Sequence, residues 1–201
     1  MKPTAPKRLD DIGIDLLFRE ARTHGAWLPP PVSAETLRAL WDTLKFGPTS
    51  ANCSPLRIVF VQSRGAKEKL AACMNRGNQA KTLMAPVTAI LGMDLSFYEL
   101  LPRLFPHDQS ARSWFAGRPE YIRETALRNS SLQGGYLIIA ARALGLDCGP
   151  MSGFDAARID AEFFFGSSVI VNFVCSLGYG DPGALFPRSP RLPFDEACRI
   201  E

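Results

Sequence analysis

The stretch GPTSANCSP, residues 47–55, joins an amphipathic segment to a strand-like segment and contains only small, polar and turn-forming residues. Gly47 can take a positive φ and end a helix, and Pro48 cannot continue one. Side chains able to form neutral hydrogen bonds follow at Thr49, Ser50, Asn52 and Ser54. This chemistry suits a flat, heteroatom-rich ligand, although an ordinary helix-to-strand loop with local turns has the same composition.

The flanking residues predict a helix before this stretch and a strand after it. Ser33 is a favourable N-cap, with Glu35 in the first turn. The apolar residues that follow share one helical face: Leu37, Leu40, Trp41 and Leu44. Residues 57–62 are apolar and β-branched, which predicts a strand.

The rest of the chain alternates in the same way. Residues 1–7 are expected to be a loose arm. Helices are predicted over residues 9–21, 66–75, 126–146 and 155–164, and strands over residues 86–93 and 169–177. Residues 76–81 are predicted to break a helix, and residues 148–153 to form a turn-rich stretch. The alternation of helices and strands indicates an α/β chain with too few strands for a barrel.

Two segments leave alternatives open. Residues 96–119 are rich in aromatic residues and proline without a clear period, so they form either a lid or a packed irregular excursion. Residues 132–143 are apolar on nearly every face, so this helix is buried by its own fold or by a partner subunit. Gly134 and Gly135 permit close backbone approach, which favours an intimate homodimer.

Bulk composition excludes several classes of protein. The 201 residues predict one domain, 1–201, with 46% apolar and 21% charged residues. A formal charge of +3 without a clustered basic patch argues against nucleic acid as a partner. The N-terminus lacks the apolar core of a signal peptide, and no apolar run predicts a membrane span. Five scattered cysteines without C-x-x-C indicate a soluble cytoplasmic protein without a metal site.

The usual catalytic motifs give no assignment. The sequence has no nucleophile elbow and no Walker loop, and neither His24 nor His107 has a setting for a Ser-His-Asp triad. Arg22, Arg188 and Arg191 lie near the two ends of the chain, and they either converge on one phosphate or are separate surface charges. Together with loops built for backbone contact, they indicate a phosphorylated cofactor that supplies the chemistry.

Five stretches in the same order resemble the FMN-dependent nitroreductase family over nearly the whole chain. They are residues 21–27, 48–55, 144–155, 178–180 and 188–193. Three positions depart from the family pattern. Gly25 stands in place of an arginine, Ser54 in place of the usual glutamine, and Thr23 in place of a serine.

The resemblance implies an α+β sandwich with a central mixed β-sheet flanked by helices, and an interlocked homodimer that holds FMN at two interface sites. It implies that the phosphate and ribityl chain of FMN are bound by Arg22, Thr23, His24, Arg188 and Arg191. It also implies that five loop residues of one chain contact the flavin bound by the other chain: Pro48, Thr49, Ser50, Asn52 and Ser54. It places Asn78 and Lys81 at the pyrimidine ring of the flavin. The remaining cofactor-binding residues are Pro150, Met151, Ser152 and Gly153, and Ser152 and Gly153 are expected near the N5 edge.

Residues 49–55, 106–107, 111–115 and 128–131 resemble one branch of the family, the malonic semialdehyde reductases of pyrimidine degradation. That resemblance implies reduction of 3-oxopropanoate to 3-hydroxypropanoate by NADH or NADPH in a two-step hydride shuttle. Arg103, Arg112 and Arg118 are candidates to meet the substrate carboxylate, or are surface charges. The alternatives are a broad quinone or nitro-compound reductase and a non-catalytic flavin-binding protein.

Overall fold

The computed structural model describes residues 7–201, so all but the last residue of the predicted N-terminal arm lies outside the described residues. Four strands form one sheet: β1 (Leu56–Val61), β2 (Val87–Asp94), β3 (Asp147–Met151) and β4 (Val169–Gly178). Their order is β1-β2-β4-β3, and each neighbouring pair is antiparallel. The sheet is therefore antiparallel rather than mixed, and the described residues show parallel pairing only at the isolated bridge between Thr23 and Cys148.

Helices cover both faces of this sheet. They are α1 (Asp11–Ile14), α2 (Ala34–Leu44), α3 (Arg64–Cys73), α4 (Arg76–Met84), α5 (Leu101–Leu104), α6 (Pro119–Ala143), α7 (Ala156–Phe163) and α8 (Phe194–Ala197). Helices α2 and α6 bury one apolar cluster against the sheet, and α3 and α7 bury a second one. This layering confirms the α+β sandwich.

Helix caps agree with the sequence. The N–H of Thr36 donates to Oγ of Ser33 over 3.1 Å, and the N–H of Arg158 donates to Oδ1 of Asp155 over 3.1 Å. Each cap satisfies a backbone donor that the first helical turn leaves free, which is why α2 and α7 begin directly after these two residues.

Several predicted elements differ from the structure. The break expected over residues 76–81 is wrong, because α4 begins at Arg76 and the chain is instead interrupted by extended backbone at Met74 and Asn75. The expected helix over residues 9–21 consists of α1 followed by a π-helical turn, Asp15–Arg19. The stretch over residues 148–153 contains β3, whose Pro150 is tolerated because β3 is an edge strand.

Helix α6 is buried on one face only. A Cβ on Gly134 would lie 2.4 Å from Cζ of Phe173, so this glycine allows α6 to approach its own sheet closely. A Cβ on Gly135 would meet no atom within 4 Å, and Leu132 nearby is 43% exposed. The protein's own fold therefore accounts for one face of the apolar segment, and the opposite face has no cover within the described chain.

Residues 96–119 carry α5 and two 3₁₀ turns around an apolar cluster of their own. Phe97, Leu101, Ala111 and Phe115 are buried together with residues of β2 and α6. Among residues 7–201, no helix has both the length and the apolarity required to span a bilayer.

Candidate functional site

The loop over residues 47–55 has a strained backbone. Ala51, Asn52 and Ser54 have positive φ angles of 48°, 49° and 38°. Residues other than glycine reach this region at a free-energy cost, so the surrounding contacts must hold them there. One contact is internal, since the N–H of Ser54 donates to Oγ1 of Thr49 over 3.1 Å. The Thr49 hydroxyl therefore supports the loop backbone.

Helix α6 supplies the other contacts, through three polar side chains on one of its faces. Oδ1 of Asn129 accepts from the N–H of Ser50 over 2.8 Å, and Oε1 of Gln133 accepts from the N–H of Leu56 over 3.0 Å. The hydroxyl of Tyr136 donates to the carbonyl of Pro48 over 2.9 Å. These three side chains bind both ends of the loop at a spacing of i, i+4 and i+7.

Gly47 is required for a different reason from the one its position after α2 suggests. Its φ is not in the left-handed region. A Cβ at this position would lie 2.1 Å from Cδ2 of Tyr136, so the absence of a side chain makes room for the aromatic ring.

At the opposite edge of the sheet, two adjoining cavities with volumes of 460 and 550 Å³ share Thr23 and Phe186 in their linings. We call them together the β3-edge trench. The segment that lines it pairs with β3, because the N–H of His24 donates to the carbonyl of Cys148 over 3.0 Å. The first cavity, the His24 end, is lined mainly by Thr23, His24, Gly25, Trp27, Lys81, Gly149, Pro150, Met151 and Ser176.

The His24 end contains buried polar atoms without partners. His24 is 8% exposed, and its Nε2 lies 3.5 Å from Oδ1 of Asp147. Nδ1 of His24 and Nε1 of Trp27 are buried and form no hydrogen bond. Such atoms are rare because an unsatisfied buried polar group costs about 1–3 kcal/mol. A Cβ added to Gly25 would be in ordinary van der Waals contact with the aliphatic part of the Lys81 side chain. Lys81 therefore lies next to the position that a longer side chain at residue 25 would occupy.

The second cavity, the arginine end, is lined by five arginines and by no carboxylate: Arg19, Arg22, Arg142, Arg188 and Arg191. Arg19 is paired with Asp11 and Asp15. The other four donate to backbone carbonyls. Arg22 donates to Phe186 and Arg142 to Leu17. Arg188 donates to Ala21, and Arg191 donates to both Ser189 and Pro190. Nε of Arg142 is buried without a partner. This donor set fits a phosphate, which guanidinium groups bind through paired hydrogen bonds.

Helix α4 joins the trench to the loop after β3. Nδ2 of Asn78 donates to the carbonyl of Gly153 over 3.1 Å, and the N–H of Asn75 donates to the same carbonyl over 3.0 Å. A Cβ on Gly153 would lie 2.8 Å from Nδ2 of Asn78, so the glycine permits this close contact. Ser152 is exposed beside it.

Sequence reasoning therefore identified residues at both edges of the sheet. Eight of the predicted cofactor-binding residues line the trench: Arg22, Thr23, His24, Lys81, Pro150, Met151, Arg188 and Arg191. Asn78 and Gly153 lie next to it. It missed Trp27 and Arg142, although a single arginine within an apolar helical run was a usable signal for Arg142.

The five predicted loop residues are remote from the trench of the same chain. They are Pro48, Thr49, Ser50, Asn52 and Ser54, all preceding β1. Strand spacing puts β1 and β3 about 14 Å apart across the sheet. The two sites are also displaced along the strand direction. Leu56 of β1 lies at the level of Ile170 of β4, whereas Cys148 of β3 pairs with Leu177 of β4, so the two levels are about 20 Å apart along β4. A ligand in the trench therefore cannot contact the loop of its own chain.

A third cavity of 700 Å³ adjoins the loop, and we call it the β1-edge cavity. Its lining is Trp41, Lys45, Phe46, Asn52, Ser54, Leu56, Arg57, Ile58, Phe60, Leu100, Arg103, Leu104 and Gln133. Nδ2 of Asn52 donates to the carbonyl of Leu104 over 2.7 Å, which fixes α5 to the loop. Cys53 in the same loop is not a nucleophile at neutral pH, because burial raises the pKa of its thiol to about 11.

The glycines after β4 do not form a dinucleotide site. Residues 178–183 match the pattern G-x-G-x-x-G, but they end within a 3₁₀ turn, Pro182–Ala184, and not at the start of a helix. The dinucleotide fingerprint needs a helix N-terminus at that point to receive the pyrophosphate. A Cβ on Gly180 would lie 2.1 Å from Nδ1 of His24, so this glycine accommodates the histidine ring.

Comparison with known proteins identifies relatives along nearly the full chain. The sequence pattern of the nitroreductase family matches residues 19–179. A protein from Burkholderia lata, provisionally named an NADH dehydrogenase/NAD(P)H nitroreductase, is 61% identical over 193 residues, covering 96% of this chain and 98% of its own. A protein of the same provisional name from Polynucleobacter asymbioticus is 59% identical over 192 residues, covering 96% and 97%.

Solved structures agree on the fold. A provisional nitroreductase from Exiguobacterium sibiricum, solved in complex with FMN, has a TM-score of 0.84 at 18% identity and covers 98% of this chain and all of its own. A provisional nitroreductase from Bacillus subtilis has a TM-score of 0.85 at 22% identity, covering 92% and 97%. The chain with this strained loop and this arginine-lined trench belongs to the nitroreductase family.

Proposed function

We propose that the protein is an FMN-dependent NAD(P)H oxidoreductase and that FMN occupies the β3-edge trench. One observation carries this proposal. Within residues 7–201, three buried polar side-chain atoms have no hydrogen-bond partner, His24 Nδ1, Trp27 Nε1 and Arg142 Nε, and all three belong to residues that line the trench. A ligand with a phosphate at one end and ring heteroatoms at the other matches this arrangement of polar groups.

When bound, FMN supplies hydride exchange between a nicotinamide and an acceptor. The chain's own residues bind and orient the reactants. The four arginines without carboxylate partners hold the phosphate, and Lys81, on the rigid α4, lies over the His24 end. Because no side chain in the trench is required as a nucleophile, orientation supplies most of the catalysis.

The functional unit is a homodimer in this proposal. The loop over residues 47–55 and the trench lie on opposite edges, so a second chain is needed to bring them together. The outer face of α6, with Leu132 and Gly135, and the apolar residues of the C-terminal tail offer the surface for it. In that tail, Phe186 is 86% exposed and Ile200 is 89% exposed. Large exposed apolar groups of this kind mark interfaces.

The acceptor is 3-oxopropanoate, which is reduced to 3-hydroxypropanoate in uracil catabolism. This assignment is supported by the resemblance of residues 49–55, 106–107, 111–115 and 128–131 to the malonic semialdehyde reductases. It is also supported by the cationic lining of the β1-edge cavity, to which the excursion over residues 96–119 contributes Arg103. A broad nitro-compound or quinone reductase is the second candidate, favoured by the provisional names of the relatives. A non-catalytic flavin-binding protein is the third.

The cysteines support a cytoplasmic location. Cys53, Cys73, Cys148 and Cys175 are buried free thiols, and Cys198 is an exposed one. Unpaired thiols, one of them at the surface, persist in a reducing compartment.

The test is a visible spectrum of the purified protein, followed by anaerobic addition of NADPH or NADH. We expect flavin absorbance that bleaches with the nicotinamide and returns with 3-oxopropanoate. Arg142→Gln should weaken FMN binding about tenfold or more, because a charged hydrogen bond in a partly buried site is lost. Arg64→Gln removes an exposed arginine outside the trench and serves as the matched control.

Each outcome decides between the candidates. Protein that neither contains nor binds FMN would refute the proposal. Flavin that stays oxidised with both nicotinamides would favour the flavin-binding protein. Bleaching that only quinones or nitro compounds reverse would retain the cofactor and replace the acceptor. Parallel lines in steady-state plots are expected for the two-step shuttle, and intersecting lines would contradict it.

A further inference from the structure

The β1-edge cavity is cationic. Three of its lining residues are Lys45, Arg57 and Arg103, and none of its lining residues is acidic. The remaining lining is largely apolar, with Trp41, Phe46 and Phe60 among its members, so it offers contact to the apolar part of a ligand. A small anion with an apolar body fits this combination of groups.

Two of the three cations already have partners. Nζ of Lys45 lies 2.5 Å from Oδ1 of Asp42. Nη2 of Arg57 lies 2.6 Å from Oδ2 of Asp94, and its Nη1 donates to the carbonyls of Ser54 and Leu56. The guanidinium of Arg103 forms neither a hydrogen bond nor an ion pair with any residue in the range 7–201. It is therefore the cation of this cavity that is open to a ligand.

The structure separates Arg103 from the other arginines of the excursion. Arg112 forms a two-pronged pair with Glu99, with distances of 2.6 and 2.9 Å, which satisfies both charges. Arg118 precedes α6 and lines none of the three cavities described above. Only Arg103 combines an unpaired guanidinium with a place in the lining.

The backbone of Arg103 is held on both sides. Leu101, two residues earlier, is fully buried in the cluster of the excursion. The carbonyl of Leu104, the next residue, accepts the hydrogen bond from Asn52 of the strained loop. The backbone of Arg103 is thus held by α5 beside the loop, and its side chain is exposed and free to reach a ligand. A binding group on a fixed backbone loses less entropy when it orders a ligand.

We propose that Arg103 is a specificity-determining residue that binds the carboxylate of the hydride acceptor, so that the enzyme selects small carboxylated acceptors over neutral ones. This inference rests on the proposed oxidoreductase function and adds to it the substrate class and the residue that reads it. In the dimer, Arg103 of one chain serves the trench of its partner, because its own trench lies at the other edge of the sheet.

The first experiment measures binding without turnover. Calorimetric titration with malonate, a small dicarboxylate that accepts no hydride, compares the wild type with Arg103→Gln, Arg103→Lys and Arg118→Gln. We expect Arg103→Gln to weaken malonate binding about tenfold to a hundredfold, the size of one charge-assisted hydrogen bond. Arg103→Lys should recover part of this loss because it keeps the charge, and Arg118→Gln should match the wild type.

The second experiment measures selectivity in matched pairs of acceptors. One pair is 3-oxopropanoate and propanal, and the other is 4-nitrobenzoate and 4-nitrobenzamide, so either acceptor class can be tested. Arg103→Gln should raise KM for the carboxylated member about tenfold or more and leave the neutral member within about twofold. The rate of flavin bleaching by nicotinamide is measured for each variant as well, so that an effect on the acceptor is separated from an effect on FMN reduction.

The two proposals fail in different ways. Wild-type protein that binds no flavin would refute the oxidoreductase function, whatever the malonate titration gives. An active flavoenzyme in which Arg103→Gln changes neither malonate affinity nor the carboxylate preference would overturn the role of Arg103 alone. An equal rise in KM for charged and neutral acceptors would also overturn it, because that result would indicate a general distortion of the cavity.

Discussion

Replacement of Gly47 by alanine tests whether the ring of Tyr136 fixes the entrance to the strained loop. The new Cβ would lie 2.1 Å from Cδ2 and 2.4 Å from Cε2 of that ring, so the ring must move. Overpacking of this kind costs about 1–3 kcal/mol. Loss of the hydrogen bond from Tyr136 to Pro48 adds about 1 kcal/mol. We therefore expect the free energy of unfolding to fall by about 2–4 kcal/mol.

The assay is urea unfolding followed by circular dichroism at one fixed protein concentration, because the stability of a dimer depends on concentration. For a chain of this length, the expected loss lowers Tm by about 5–15 °C. Gly65→Ala is the matched control, since a Cβ on Gly65 meets no atom within 4 Å. It should leave the free energy of unfolding within about 0.5 kcal/mol of the wild type, or raise it slightly.

A double-mutant cycle supplies the refutation. In the background of Tyr136→Ala there is no ring to displace, so adding Gly47→Ala should cost less than about 0.5 kcal/mol. If Gly47→Ala is as destabilising there as in the wild type, the clash with Tyr136 is not the cause. The need for glycine would then have to lie in the backbone.

Further predictions concern the loop and its thiol. Asn129→Ala removes the acceptor for the Ser50 N–H and should cost about 1–3 kcal/mol in urea unfolding; a loss below about 0.5 kcal/mol would contradict this role. Ellman's reagent at pH 8 should leave Cys53, Cys73, Cys148 and Cys175 unmodified in the native chain and should modify all five cysteines in guanidinium; fast reaction of more than one thiol in the native chain would contradict the burial of these four. Burial raises the pKa of Cys53 in the folded chain from 9.0 to about 11. As pH rises above 9.0, this thiol therefore loses its proton in the unfolded chain before it does so in the folded chain. The free energy of unfolding should therefore fall between pH 9 and 11, and Cys53→Ala should reduce that fall.

Local rules predicted much of the fold. Ser33 and Asp155 were recognisable as N-caps because a cap depends only on its own side chain and the next three residues. Strand β3 was missed because Gly149 and Pro150 read as a turn, and only the complete sheet shows that this strand lies at an edge. The start of α4 was missed because Gly77 and Asn78 have low helix propensity, which tertiary contacts such as that of Asn78 with Gly153 outweigh.

The candidate site was predictable to a similar extent. The loop and the arginines were identified by residue type, and the resemblance joined them in one functional unit. The sequence did not show that α6 holds the loop, because Asn129 and Ser50 are 79 positions apart and only folding brings them together. Nor did it distinguish Arg103 from Arg112, since that choice depends on the partner Glu99.

The separation of the loop and the trench on opposite edges has a genetic consequence. In the proposed dimer, each complete site takes its trench from one chain and its loop from the other. A chain with a defective trench and a chain with a defective loop, each inactive alone, would form mixed dimers in which one of the two sites is intact. Random assortment of equal amounts would restore about a quarter of the normal activity. Two recessive alleles of this single gene would therefore complement each other.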